Sequence, residues 1–211
     1  MKEPDTLESS EHEPRSRIQR KREERIVLIL RNASQVLAEH GYHNTSLEMI
    51  AERLDLTKAS LYHYYGSKDE LVQACLTRVA RLTIDQMSAI IAEPGRTPTD
   101  QLRRLIVEQV KISARYEPES ARLFVQRFEW PESMSEVVRG YRSEHTRLFE
   151  RALEDGVATG EFDAENSDIA LHCMFGALNY VPLWFRPTTK AKDYATIEAI
   201  ADQVMKLFIA P

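Results

Sequence analysis

From residue 26 onward, apolar side chains recur at the spacing of one face of an α-helix, and no run alternates with the period of two that a strand needs. Ile26, Ile29, Leu30, Ala33, Val36, Leu37 and His40 fall at i, i+3, i+4 and i+7 and end at Gly41. Leu47, Ile50, Ala51 and Leu54 mark the inner face of a second, short helix, with Thr45 and Glu48 spaced as a capping box. Asp55-Leu56 breaks that pattern, Thr57 is placed to cap a third short helix to about Tyr65, and Gly66 stops it. Ser67 with Glu70 is another capping box, opening a long helix to about Ala92. Past the linker Glu93-Pro94-Gly95-Arg96-Thr97-Pro98, helical patterns cover Thr99 to about Tyr116, Glu119 to about Trp130 and Ser133 to about Thr159. Two more cover Asp168 to about Phe185 and Tyr194 to about Ile209. Pro118, Pro131 and Pro187 fall at boundaries, while Pro182 is expected to kink or shorten its helix. The expectation is an all-α fold of about nine helices without internal repeat. Only 7 Gly and 9 Pro in 211 residues argue equally against a loop-rich β fold.

The formal net charge of -5 hides an asymmetry. Residues 1–14 balance at -4, residues 15–66 at +3 and residues 67–211 at -4. Within the basic block, Arg15, Arg17, Arg20, Lys21, Arg22 and Arg25 cluster. A basic patch inside an acidic chain is a local footprint for phosphates, or else a solvated arm. Residues 1–17 carry almost no large apolar side chain and read as a disordered tail. The N-terminus is polar and lacks a signal-peptide pattern, and no stretch approaches the roughly 20 apolar residues of a membrane span. Cys75 and Cys173 lie far apart, which fits a reduced pair in a cytoplasmic protein.

Three helices within about fifty residues, the last two short and joined by the tight turn Leu54-Asp55-Leu56-Thr57, describe a helix-turn-helix. Leu47, Ile50, Leu54 and Leu61 would pack the pair on the first helix. The third helix then shows solvent Thr57, Lys58, Ser60, Tyr62, His63 and Tyr64. Hydroxyls, a cation, an imidazole and phenols suit a groove lined with donors, acceptors and phosphates. The bland reading is a polar helix surface, but exposed aromatics on so short a helix are unusual without a partner.

The stretch from Gly41 to Ala51, followed by Leu56-Thr57-Lys58-Ala59-Ser60-Leu61-Tyr62-His63-Tyr64-Tyr65-Gly66-Ser67-Lys68-Asp69-Glu70-Leu71, resembles the N-terminal domain of the TetR/AcrR family of transcriptional regulators. The likeness covers about residues 22 to 75. Ala59, where the family often has Gly, and Tyr65, where Phe is usual, depart mildly from the pattern. The resemblance implies a homodimeric, ligand-responsive regulator that binds a double-stranded DNA operator, usually as a repressor. It makes Lys58, Ser60, Tyr62, His63 and Tyr64 recognition contacts, with Thr45 and Lys68 holding phosphates. It divides the chain into a DNA-binding domain at 18–66 and a ligand-binding and dimerisation domain at 67–211.

The family's dimer contact uses the last two helices, which here carry Ala170, Ala177, Leu178, Ile197, Ala201, Val204 and Phe208. Intramolecular core is the alternative for any one of them. Residues expected around a ligand are Phe124, Phe128, Trp130, Tyr141, His145, Phe149, His172, Phe175 and Asn179, each of which also suits plain packing. Asn179 to Pro187, with Trp184, Phe185 and Arg186, resembles the same region of TetR-type regulators of fatty-acid and sterol degradation, which often respond to acyl-CoA thioesters. The expected effector is therefore small and largely apolar, with no resident cofactor.

Catalysis is disfavoured. The chain has no GxSxG, HExxH, glycine-rich phosphate loop or CxxC, and His40 and His43 lack the carboxylates or thiols that would complete a metal site. An activator, a DNA binder that needs no effector, and a helical adaptor remain as alternatives.

Overall fold

The computed structural model describes residues 17–125, 129–163 and 165–208. The described residues form nine α-helices and no strand, as the periodicity requires. They are α1 (Arg17–His40), α2 (Leu47–Arg53), α3 (Lys58–Tyr62), α4 (Lys68–Ala92) and α5 (Pro98–Lys111), followed by α6 (Pro118–Val125), α7 (Glu132–Thr159), α8 (Ser167–Trp184) and α9 (Lys190–Met205).

Local chemistry sets the boundaries. Thr57, Ser67, Thr97 and Thr189 each stand at an N-cap in extended conformation, and each side-chain oxygen accepts a backbone N–H of the first turn. Glu70 also reaches back, accepting at 2.8 Å the N–H of Gly66, one residue before the Ser67 cap of the expected box. At α2 the cap is Ser46, whose Oγ accepts from Met49 N at 3.2 Å, rather than the expected Thr45. The Thr45 hydroxyl instead donates to Gly41 O at 2.7 Å. The third helix closes earlier than its pattern suggests, because the N–H groups of both Tyr64 and Tyr65 turn onto Leu61 O. The fifth pattern is two structures: α5 ends at Lys111, and a π turn follows over Ile112–Tyr116. The last helix starts a turn early at the Thr189 cap, and α8 runs two residues past Pro182.

The interior has two centres. One joins Leu30, Ala33 and Leu37 of α1 to Leu47, Ile50, Leu61 and Tyr65, and is closed by Leu123 of α6 with Met134 and Val138 of α7. The other lies among α5, α7, α8 and α9. Helix α4 serves both, giving Leu71, Val72, Cys75 and Leu76 to the first and Met87 to the second.

Helix α7 ends against an aromatic lid. Gly160 takes φ 76°, and the N–H groups of Glu161 and Phe162 turn back onto Gly156 O. A Cβ on Gly156 would lie 2.0 Å from the Phe162 ring. Gly156→Ala is therefore expected to lower stability by about 1–3 kcal/mol. The clash outweighs the ~1 kcal/mol that alanine gains over glycine within a helix. Urea unfolding checks this, and a stabilised variant would mean that the ring gives way freely.

Candidate nucleic-acid interface and interior cavity

The turn between α2 and α3 is made by backbone geometry. Asp55 adopts φ 52°, in the left-handed region, while Leu54 N and Leu56 N both bond to Ala51 O. Helix α3 then holds to the protein through Leu61, which is wholly buried. That burial contributes about 2–3 kcal/mol, and it leaves Thr57, Lys58, Tyr62 and His63 exposed. Ser60 and Tyr64 are half-buried, and Tyr64 packs against the first core. The Thr57 and Ser60 hydroxyls lie 2.8 Å apart. Lys58 pairs with Glu48 of α2 and sits 5.6 Å above the Tyr62 ring. Their mutual hydrogen bond lowers the Glu48 pKa and raises that of Lys58. Both groups are exposed, so the pair opens at little cost.

Two expected phosphate contacts are committed inside the protein. Thr45 is buried, with its hydroxyl spent on Gly41 O. Lys68 donates to Tyr42 O at 3.0 Å and Thr45 O at 3.1 Å, with its ammonium 4.1 Å from the Tyr42 ring centre. It ties the loop before α2 to the start of α4, and the Tyr42 hydroxyl donates to Asp69 beside it. Of the basic cluster, Arg15 and the rest of the tail lie outside the described residues. Arg17, Arg20, Lys21 and Arg22 stand on the first two turns of α1, where every residue is exposed.

A cavity of about 400 Å³ opens among α4, the π turn, α6, α7 and α8. Six of the expected ligand residues line it: Phe124, Tyr141, His145, His172, Phe175 and Asn179. Phe149 lies behind the wall, wholly buried, with its ring 5.1 Å from His145 and 5.2 Å from Phe175. Trp130 belongs elsewhere, packing its ring 6.1 Å from Tyr42 at the first core. Phe128 lies outside the described residues. Sequence reasoning missed Val79, Ala80, Thr83 and Ile84, which share one face of α4, and the polar pair Gln109 and Ser113. The spacing of the α4 group was readable, but Gln109 and Ser113 look like ordinary helix residues.

Two polar points of the cavity are fixed by hydrogen bonds. His145 Nε2 lies 2.8 Å from Gln109 Oε1, and Arg142 donates from Nε at 3.1 Å, and from Nη2, to Phe124 O. Burial lowers the pKa of both side chains, His145 to about 4. The imidazole is therefore neutral at physiological pH. Tyr141, Thr146, Glu150, His172 and Asn179 add further polar groups to the lining, so the cavity combines apolar walls on α4 and α6 with a polar side on α7 and α8. Among the described residues, no group of three or more His, Cys, Asp or Glu is placed to hold a metal ion, and no helix is long and apolar enough to cross a membrane.

The expected dimer residues need correction. Leu178, Ile197, Ala201, Val204 and Phe208 are buried in the chain's own second core, so they are unavailable to a partner. Ala170 packs against that core, and Ala177 is exposed. The outward row of α8 is Ile169, Cys173, Ala177, Tyr180 and Trp184, with Ile169 and Tyr180 each 61% exposed.

Residues 29–75 match the family model described as bacterial regulatory proteins, tetR family, and residues 95–210 match that described as tetracyclin repressor-like, C-terminal domain. The chain is 36% identical over 84 residues to the HTH-type transcriptional activator FasR of Mycolicibacterium smegmatis, covering 40% of this chain and 36% of FasR, so it spans about a third of that relative. It is 22% identical over 189 residues to a fatty acid metabolism regulator protein of Bacillus subtilis, covering 86% of this chain and 92% of that protein. The fold superposes with TM-score 0.72 on AibR, solved with isovaleryl coenzyme A and operator DNA, at 21% identity, covering 89% of this chain and 99% of AibR.

His145 gives the cavity a pH signature. Its folded value of about 4 lies below the ordinary 6.5, so only well above pH 6.5 do the folded and unfolded states bind equal protons at this group. As pH falls from 6.5 to about 4, the unfolded chain takes a proton that the native protein refuses, and stability drops. The slope approaches ~1.4 kcal/mol per pH unit. Denaturant unfolding of His145→Gln across that window is expected to flatten the decline, and an unchanged slope would assign it to other groups.

Proposed function

The chain belongs to the TetR family of bacterial regulatory proteins, and from that premise we propose that it is a repressor that leaves its operator when a small, largely apolar effector enters the cavity. It is a DNA-binding transcription regulator; the direction of control, the effector and the contact residues are the proposal. One observation carries it: α3 is held by the single buried Leu61, while Thr57, Lys58, Tyr62 and His63 stand clear of the protein. Helix N-caps, phenols and one loosely held cation are the chemistry that touches phosphates and base edges.

In this reading residues 18–66 form the DNA-binding unit, and Thr57, Lys58, Ser60, Tyr62, His63 and Tyr64 are its contacts. Residues 67–211 form the effector and dimerisation unit. Lys68 and Thr45 support the recognition helix rather than touch DNA, consistent with their internal bonds. A second copy packs on the outward row Ile169, Tyr180 and Trp184, an apolar strip that no element among the described residues covers. The reading assigns the chain binding and no turnover.

The apolar wall formed by Val79, Ala80, Ile84, Ile112, Phe124 and Phe175, with the neutral His145 beside it, supports an effector with a lipid-like part. The Bacillus subtilis relative, named for fatty acid metabolism, and AibR, solved with an acyl coenzyme A, support an acyl-CoA or a related lipid or sterol metabolite. Helix α4 is the lever. Its 25 residues span about 38 Å, from beside the recognition helix past the cavity wall. Two recognition helices must lie about 34–36 Å apart to enter successive major grooves, so a tilt of α4 spoils the fit. An effector acts only by binding the tilted state more tightly. The activator reading is favoured by the FasR match alone.

Operator binding tests the assignment. With a duplex selected from a random pool by the wild-type protein, Lys58→Ala with Tyr62→Ala is expected to weaken binding by at least about thirtyfold at unchanged helicity, each contact being worth about 1–3 kcal/mol. Affinity like that of the wild type would end the recognition-helix assignment. Acids, their CoA thioesters and cationic drugs are then screened by thermal shift. A compound that raises the melting temperature and releases DNA supports repression by this route, whereas tight, stabilising compounds that leave DNA affinity unchanged would defeat it. Transcription in vitro from the selected duplex separates repressor from activator. For the dimer, Tyr180→Glu with Ile169→Asp is expected to give folded monomers in sedimentation, and an intact dimer would move the interface elsewhere.

A further inference from the structure

Between the recognition unit and the cavity lies a charged cluster that neither role uses. Glu117, 3% exposed, ends the π turn and opens α6. Its N–H donates to Ile112 O at 2.9 Å, and its carbonyl accepts from Ala121 N at 2.8 Å. Its carboxylate Oε1 accepts from Arg31 Nε at 3.2 Å, Arg31 Nη2 at 2.8 Å and Arg78 Nη2 at 2.9 Å, while Oε2 accepts from Ser120 Oγ at 3.3 Å. Arg31 stands on α1 and Arg78 on α4. One side chain therefore ties three elements together.

Burial by itself would raise this carboxyl, but the hydrogen bonds and charges of Arg78 and Arg31 outweigh it and hold it below the usual carboxylate range. The same bond raises the Arg31 pKa. The cluster is thus ionised and cross-linked at neutral pH.

Its position matters more than its strength. Ile112 and Ser113, before Glu117, and Ala121, after it, line the cavity, as does Val79 beside Arg78. The other side of the π turn is pinned: Arg115 pairs with buried Asp193 of α9, and the Tyr116 hydroxyl meets that of Tyr194 at 2.9 Å. A π turn carries a longer hydrogen-bonded ring than the α-helix it interrupts. A one-residue change of register there would swing Glu117 about 100° around the helix axis. Arg31, with 54% of its side chain exposed against 24% for Arg78, is the partner more open to competition from solvent.

Resting on the effector-responsive reading above, we propose that Glu117 is a positioning residue that couples the cavity wall to the orientation of α1, and through α1 to the recognition helix. Closed, the cluster holds the DNA-competent orientation. A molecule that displaces Ile112 or Ser113 withdraws Glu117 from Arg31 and frees α1.

The test uses the full-length protein with Glu117→Gln, Arg31→Gln and the double variant. Backbone hydrogen exchange is read at Ile112–Tyr116. Arg31→Gln lies on another helix and on the surface, so it folds even where Glu117→Gln does not. It is expected to speed exchange at the π turn by about threefold or more, because that segment opens locally once its tie to α1 is gone. For the duplex selected by the wild-type protein, Arg31→Gln is expected to weaken binding about tenfold at a melting temperature near that of the wild type, and Glu117→Gln, which lowers the melting temperature by leaving Arg78 uncompensated, is expected to weaken it about tenfold at a temperature where both variants are folded. The double variant is expected to be no weaker than either, as for two ends of one contact. Unchanged exchange at the π turn after Arg31→Gln overturns the coupling, as do multiplying losses in the double variant. If no duplex is selected at all, the DNA-binding reading fails, and the exchange result still decides on the coupling.

Discussion

Helix α4 is common to two cores, and that sharing governs what the rest of the molecule is able to do. Leu71, Val72, Cys75 and Leu76 are packed among α1, α2 and α3, while Met87 is packed among the helices beyond the linker. Each such side chain gains about 1.5–3 kcal/mol from burial. Bending the helix between the two centres would cost contacts at one end or the other. The affordable motion is rigid, with both ends moving together. Leu123, Met134 and Val138 strengthen the constraint, because they bring residues from α6 and α7 into the first core. The three short helices at the front are therefore not a bead on a string.

Charges divide into those that hold the structure and those that remain available. Lys68 is spent on two carbonyls and an aromatic face, and Glu117 on two guanidinium groups. Removing one partner of a buried pair costs about 3–5 kcal/mol, since the other charge is left without compensation. Lys58 is different. Its pairing with Glu48 is exposed on both sides, so solvent competes for it and a phosphate is able to replace the carboxylate. The same residue type, ten positions apart, is a strut in one place and a free hand in the other. Burial of its surroundings makes the difference.

The helices and their order were legible because each hides one face, and a hidden face leaves a period. What the period does not say is what does the hiding. Leu178, Ile197, Ala201, Val204 and Phe208 carry the right pattern for an interface, and they face the chain's own interior. The outward row of α8, with Ile169, Tyr180 and Trp184, lies on the same helix as Leu178, only a fraction of a turn away. Thr57 and Ser67 cap as expected, but the α2 cap differs by a single position. Thr45 and Ser46 are both hydroxyl residues, and only the extended backbone at Ser46, with its side chain on Met49 N, separates cap from neighbour. The π turn had no signature, since Ile112-Ser113-Ala114-Arg115-Tyr116 reads as ordinary helix. Most of the aromatic wall of the cavity was legible, but its polar fittings, Gln109 and Ser113, were not. A lone polar residue on a helix resembles any solvated one until the packing is known.

The lever and the Glu117 cluster meet on α4 at adjacent positions, because Arg78 is held by Glu117 and Val79 lines the cavity. They are therefore one device and not two in series. In the proposed mechanism a change in the cavity wall that tilts α4 also moves Arg78, and a change that withdraws Glu117 from Arg31 loosens the tie to α1. The geometry amplifies either. A tilt of about 5° over a lever of about 38 Å displaces its far end by about 3 Å. The recognition end of α4 is locked to the loop before α2 by Lys68 and by Asp69 on the Tyr42 hydroxyl, so that displacement is delivered to the recognition unit rather than absorbed in a joint. A shift of that size in each of two subunits is large against the tolerance of two helices that must enter successive grooves. In the proposed mechanism, tight packing at both ends of α4 is thus what would let a small molecule act at a distance.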